Sequence, residues 1–320
     1  LTVPRYFSVY PFSFSKFVLC SKIDMKEVKF KLPTDSLLNT PGQLAPTRDA
    51  KPLASANGGK LRIACLHGFS CNANINKFQT SRLRKYWAEH LRKTPLVLSP
   101  LSPRHNTSFK AGDPVVFSDV EFVFLESSRE LGPVDKPLAE VTSLFPGPYR
   151  SWLEPHDGAQ YGRRRDAAVE NRLLDDIRAV GPIHGVLAFS DGGAIISSLT
   201  LKAEMGLVPK LWDFVVLVCA VDPYLDPVLH DGVPAANKMK GRKTLVRMRT
   251  PCVHVIGLED HVYRERSEEL WSMVHPNTRF GSKPTAEVYR FNDGHKVPTS
   301  DKDLAEIIGA WRRVVTNSHL

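Results

Sequence analysis

The stretch His184–Met205, HGVLAFSDGGAIISSLTLKAEM, decides the fold. Val186, Leu187 and Phe189 read as a short buried strand, and Ile195–Met205 reads as a helix. Ser190 joins them without a spacer, with small residues at −2 (Ala188) and +2 (Gly192). A serine between a strand end and a helix start, flanked in this way, is the pattern of a nucleophile elbow. Its backbone must take a strained turn so that the hydroxyl projects above the sheet, and bulky neighbours two positions away would collide there. The Asp191 N–H, at the start of the new helix, is then aimed where a reaction oxyanion would form. Ala188 stands where the G-x-S-x-G pattern has its first glycine, so the motif needs support from the rest of the chain.

Working outward, the chain alternates strands and helices. Leu61–Leu66 reads as a first strand ending in His67-Gly68-Phe69, and an amphipathic helix spans about Asn74–His90. Further strands are read at Val120–Leu125, Asp213–Cys219, Cys252–Ile256 and Ala286–Phe291, with helices at Asp166–Val180 and Asp301–Val315. Residues 94–115 and 126–164 are rich in proline and glycine and read as irregular excursions, the second carrying Trp152 and Tyr161. This order predicts an α/β fold, a doubly wound and mostly parallel sheet of about six strands flanked by helices. Ligands bind such sheets at the carboxyl ends of the strands.

Serine is a poor nucleophile at its own pKa and needs a neighbouring base, itself oriented by a third group. Asp260 lies four residues past the strand Cys252–Ile256, and His295 lies four residues past Ala286–Phe291. Ser190, Asp260 and His295 therefore fall at strand ends in the chain order serine, acid, histidine. Asp222, after the strand Asp213–Cys219, is the alternative acid. Glu259 should point away from Asp260, His254 should pack within its strand, His261 should sit at the rim, and His230 and His275 should lie at the surface. Two backbone donors are needed for an oxyanion hole: Asp191 supplies one, and Phe69, after the turn at His67-Gly68, is the candidate for the other.

Composition bounds the remaining possibilities. No run of about 18 apolar residues exists, so no membrane span is expected. Of the net charge of +9, residues 1–60 hold nine Lys/Arg against four acids, leaving only +4 for the rest. A basic N-terminal stretch on a mildly basic body, without a basic–aromatic stripe, argues against nucleic acid as a partner. Five cysteines without a paired spacing suggest a reducing compartment, and cytoplasmic localisation is expected. Cys65, Cys219 and Cys252 read as core residues, and Cys71 as a loop residue near the site. Residues 1–59 read as a disordered or targeting extension before a single domain at 60–320. Within it, residues 1–23 have a composition like part of an organelle transit peptide, and Met25 is the alternative start.

Six segments together resemble the family of serine hydrolases often abbreviated FSH: CLHGFSCNANINKFQTSRLRK (65–85), VEFVFLESSREL (120–131), YRSWLEP (149–155), GPIHGVLAFSDGGAI (181–195), HVIGLEDHV (254–262) and GHKVP (294–298). They occur in order and span residues 61–315. The resemblance implies an α/β-hydrolase fold, Ser190, Asp260 and His295 as a catalytic triad, and Phe69 and Asp191 as oxyanion donors. That family has Gly where Ala188 stands and Gln where Asp191 stands. The implied activity is hydrolysis of small or acyl carboxylic esters or thioesters, without metal or cofactor. The alternative is a catalytically inactive, hydrolase-like protein that binds a small molecule, since fold alone does not fix function. A peptidase or acyltransferase is disfavoured because nothing in the sequence supplies a charged specificity pocket.

Overall fold

The structure, a computed structural model, describes residues 59–98, 115–132, 139–155, 163–221, 248–274 and 285–318. In chain order the elements are β1 (Gly59–Leu66), α1 (Ala73–Gln79), α2 (Ser81–Lys93), β2 (Leu96–Leu98), β3 (Val115–Leu125) and α3 (Ala139–Leu144). Then come β4 (Leu153–Pro155), β5 (Arg163–Arg165), α4 (Ala167–Ala179), β6 (Gly185–Phe189), α5 (Asp191–Glu204) and β7 (Phe214–Val218). The last are β8 (Cys252–Gly257), α6 (Arg264–Val274), β9 (Ala286–Phe291) and α7 (Asp301–Ser318).

Seven strands form the main sheet in the order β2-β3-β1-β6-β7-β8-β9. Only β2 runs antiparallel to its neighbour; every other pairing is parallel. The order reverses direction about β1, so helices cover both faces. The period-two geometry of a strand divides each apolar run between two cores. Leu61, Ile63 and Cys65 of β1 face the same cluster as Leu187 and Phe189 of β6 and Val216 of β7. Ala64, Leu66, Val186, Ala188 and Leu217 face the other. The first core is closed by Trp87 of α2 and Trp311 of α7, whose rings meet at 4.6 Å. The second is closed by Leu173 and Ile177 of α4 and by Ile195 and Leu199 of α5. Each large apolar side chain fully buried in this way contributes roughly 1.5–3 kcal/mol.

The doubly wound α/β architecture agrees with the sequence reading, with local differences. The helix expected over Asn74–His90 is two helices that meet at Thr80, whose backbone leaves helical geometry at φ −92° and ψ 2°. The seventh strand, β2, lies inside the segment read as irregular, and β3 begins five residues earlier than expected. The second excursion contains α3 and the small β4–β5 pair. Helix α6 was not expected; its sequence RERSEELWSMV carries too few apolar positions to announce a helix. No described helix is long and apolar enough to cross a membrane. The proposed extension at 1–59 falls outside the described residues except for Gly59, as do Tyr161, Asp222, His230 and His275.

Candidate active site

The elbow forms as its sequence demands. Ser190 has φ 52° and ψ −117°, a left-handed backbone that a non-glycine residue adopts only under constraint. The constraint is visible on both sides. Its N–H donates to the Val218 carbonyl at 3.0 Å, and its own carbonyl accepts from the Ala194 N–H at 3.1 Å. Two glycines then let α5 press against its neighbours: a Cβ on Gly192 would lie 2.7 Å from the His67 carbonyl oxygen, and one on Gly193 would lie 2.4 Å from the Ala220 Cβ. Ala188 needs no such concession. It is fully buried between Leu66 of β1 and Leu217 of β7, where a methyl fills the core.

Two loops at the same edge of the sheet bring the other groups to Ser190. His295 Nε2 lies 2.8 Å from Ser190 Oγ, and His295 Nδ1 lies 2.6 Å from Asp260 Oδ2. The second carboxylate oxygen of Asp260 accepts from the Tyr263 N–H at 3.0 Å, just before α6. The acid and histidine loops are laced together: Glu259 N–H donates to the Asp293 carbonyl at 2.9 Å, and Leu258 N–H to Phe291 at 2.9 Å. They meet at Gly257, where a Cβ would stand 2.5 Å from the Gly294 oxygen. Phe189 and Tyr263 flank the imidazole at 5.1 and 4.8 Å. Asp260 is buried while Glu259 is exposed, as read from the sequence. His254 is buried within β8 beside Trp271, and His261 is exposed.

The loop after β1 completes the site. Gly68 lies against the nucleophile, since a Cβ there would be 3.3 Å from the Ser190 Cβ and 2.9 Å from the Phe189 ring. Phe69 follows it, and Asp191 is the first residue of α5, where helix N–H groups lack intrahelical acceptors. The Asp191 side chain is buried and accepts from Ser151 Oγ at 2.9 Å. That contact reveals a part of the site that sequence reasoning missed. Residues 127–131 and 149–153 form a double strap over the first loop. The Arg150 N–H donates to the Cys71 carbonyl at 2.8 Å, the Leu131 N–H to Tyr149 at 2.8 Å, and Ser127 Oγ to the Ser151 carbonyl at 2.5 Å. Arg129 anchors the strap to Asp166, the N-cap of α4. Trp152 was visible as a large apolar residue in an irregular stretch; nothing in its spacing announced Ser127 or Ser151.

The thiols are poor candidates for chemistry. All four described cysteines are buried, and burial pushes Cys71 and Cys219 up to about 12 and Cys65 and Cys252 upward too. Among the described residues, the metal-ligating side chains gathered within 4.8 Å of one another are Cys219, Asp260 and His295. Two of these, Asp260 and His295, are the pair already hydrogen-bonded to each other beside Ser190.

A serine, histidine and aspartate hydrogen-bonded in series at the carboxyl edge of this sheet define the class of α/β serine hydrolases. The comparison with known sequences is more specific: residues 56–307 match the family described as Serine hydrolase (FSH1), and the chain belongs to that family. The esterase pigG of Monascus ruber is 25% identical over 291 residues, covering 80% of this chain and 92% of that protein. A dihydromonacolin L (lovastatin nonaketide synthase) thioesterase of Aspergillus terreus is 23% identical over 275 residues, covering 79% and 91%. The crystal structure of a carboxylesterase from Mesorhizobium loti aligns over 79% of this chain and 88% of its own, at 13% identity and a TM-score of 0.43.

Proposed function

We propose that this serine hydrolase cleaves carboxylic esters or thioesters of small or acyl substrates by way of an acyl-enzyme on Ser190. The observation that carries the reading is the unbroken series Ser190 Oγ–His295 Nε2 at 2.8 Å and His295 Nδ1–Asp260 Oδ2 at 2.6 Å. Ser190 donates its hydroxyl proton to His295 as the oxygen attacks the acyl carbon. Asp260 accepts from Nδ1–H, holds the imidazole in the tautomer that leaves Nε2 basic, and stabilises the imidazolium that follows. His295 then protonates the leaving alcohol or thiol. In the second half it takes a proton from water as the water attacks the acyl carbon, and returns it to Ser190 Oγ as the acyl–Oγ bond breaks and the carboxylic acid leaves. The Asp191 and Phe69 N–H groups receive the developing oxyanion; losing one such donor costs about 3–4 kcal/mol of barrier in a model protease. The esterase and thioesterase names of the full-length relatives support the same chemistry. The intact hydrogen-bond series favours it over an inactive binding protein.

The test is labelling by a fluorophosphonate probe, with Ser190→Ala and His295→Ala as controls. Wild type alone should be labelled, and Ser190→Ala should remain folded without turning over ester or thioester substrates. Turnover retained by purified Ser190→Ala would refute the reading.

A further inference from the structure

His67 sits directly beside the proposed reaction centre, and the triad does not use it. Its side chain is fully buried and lies on the Trp152 ring, with centroids 4.9 Å apart. Nδ1 is 2.7 Å from the Gly68 carbonyl oxygen, and Nε2 is 3.3 Å from the Ser127 backbone nitrogen. These partners leave no choice of tautomer. A carbonyl can only accept, so Nδ1 carries the hydrogen; a backbone amide can only donate, so Nε2 keeps its lone pair. A second proton would break the Ser127 bond, and burial lowers the pKa of this imidazole to about 4. His67 is therefore held neutral and has no free position from which to exchange a proton with a substrate.

What it holds is the peptide that matters. The Gly68 carbonyl belongs to the same planar unit as the Phe69 N–H, and in a trans peptide the two point in opposite directions. Fixing the carbonyl on the His67 side turns the N–H to the other side. Gly68 itself stands at the nucleophile: a Cβ added there would lie 3.3 Å from the Ser190 Cβ. The preceding peptide is fixed as well, because Trp152 Nε1 donates to the His67 carbonyl at 2.8 Å. Two successive carbonyls of the turn are thus gripped from one side, by a ring and by the tryptophan on which that ring lies.

We infer that His67 is a positioning residue for the oxyanion hole, acting through the Gly68–Phe69 peptide, with Trp152 and Ser127 as its own supports. The inference rests on the serine mechanism proposed above. It predicts a defect confined to the tetrahedral state: the substrate still binds, but the donor that should meet its charged oxygen is misdirected.

The experiment compares wild type, His67→Phe, His67→Asn and Trp152→Phe on a chromogenic ester, with active sites counted by fluorophosphonate titration. Phe keeps the packing on Trp152 but removes the donor, whereas Asn restores a short side-chain N–H near the Nδ1 position. His67→Phe should lose about a hundredfold in kcat per titrated site, with KM within threefold of wild type. His67→Asn should recover at least tenfold of that loss, and Trp152→Phe should show a milder loss of the same kind. Affinity for a trifluoromethyl ketone, which forms the tetrahedral adduct, should fall in parallel with kcat/KM. A kcat per site within threefold of wild type in His67→Phe, or His67→Asn no better than His67→Phe, overturns the inference. Should His67→Phe not fold, Trp152→Phe with wild-type kcat per site overturns it equally. Failure of the underlying serine mechanism reads differently: the wild-type protein would then take no label.

Discussion

Gly257→Ala offers a test of the geometry that joins the acid and histidine loops. Gly257 ends β8, three residues before Asp260, and pairs with Phe291, four residues before His295. An added Cβ would stand 2.5 Å from the Gly294 oxygen and 2.7 Å from the Asp293 oxygen, both backbone atoms with no rotamer to yield. Ordinary contact begins at 3.4 Å, so the histidine loop must retreat by about 0.9 Å. That retreat acts on the loop that carries both hydrogen bonds of His295. A misplacement of about 1 Å costs on the order of a hundredfold in rate, and the overpacking itself costs about 1–3 kcal/mol of stability. The assay is kcat/KM on a chromogenic ester together with a thermal melt, with Gly132→Ala as control, since a Cβ at Gly132 meets nothing within 4 Å. The expected result is a loss of roughly a hundredfold in Gly257→Ala, a melting point lowered by several degrees but still cooperative, and a control unchanged in both. Activity within twofold of wild type in Gly257→Ala would refute the claim that contact between these loops sets the His295 position.

Three further outcomes follow from the site. Asp191→Asn removes the carboxylate from the buried first residue of α5 while keeping an acceptor for Ser151, and kcat should rise severalfold, checked by steady-state kinetics. His67 makes stability depend on pH with a defined sign. Its pKa falls from 6.5 in the open chain to about 4 when buried, so between those values the unfolded chain binds the extra proton. Stability should be constant in this respect above pH 6.5 and fall by about 3 kcal/mol as the pH drops to about 4, and urea titrations should show that slope flattened in His67→Phe. Finally, Cys65, Cys71, Cys219 and Cys252 should resist iodoacetamide in the native protein and react after denaturation, as read by peptide mass.

The sequence marked the residues of the candidate site better than the segments around them. Ser190, Asp260 and His295 were legible because each follows a strand the sequence marks, a buried apolar run for the first two and an alternating, half-buried one for His295, and strand ends in this topology share one edge. The same physics separated Glu259 from Asp260, since an extended turn alternates its side chains. The strap was not legible. It is paired by backbone bonds between residues 71, 129–131 and 149–151, and such pairing leaves no periodic mark on side-chain type. Strands of three residues, such as β2 and β5, were lost for a related reason: Leu96–Leu98 lies between prolines, and Arg163–Arg165 has no apolar alternation. Helix α6 escaped because its apolar residues cluster near its end instead of recurring at helical spacing.

The strap has a consequence for how this enzyme can diversify. The segments that overlie the first loop also hold the turn that carries the proposed oxyanion donor Phe69: the Ser127 N–H donates to the His67 ring and Trp152 Nε1 to the His67 carbonyl. Shape selectivity and turnover are therefore mechanically linked traits. A graft that exchanged this wall for that of a relative would carry the turn's supports away with it, and its catalytic rate would suffer whatever the new substrate. Transplants that retain Trp152 and the backbone path at Ser127, and vary only the residues between them, are the ones that should change what the enzyme accepts without slowing it.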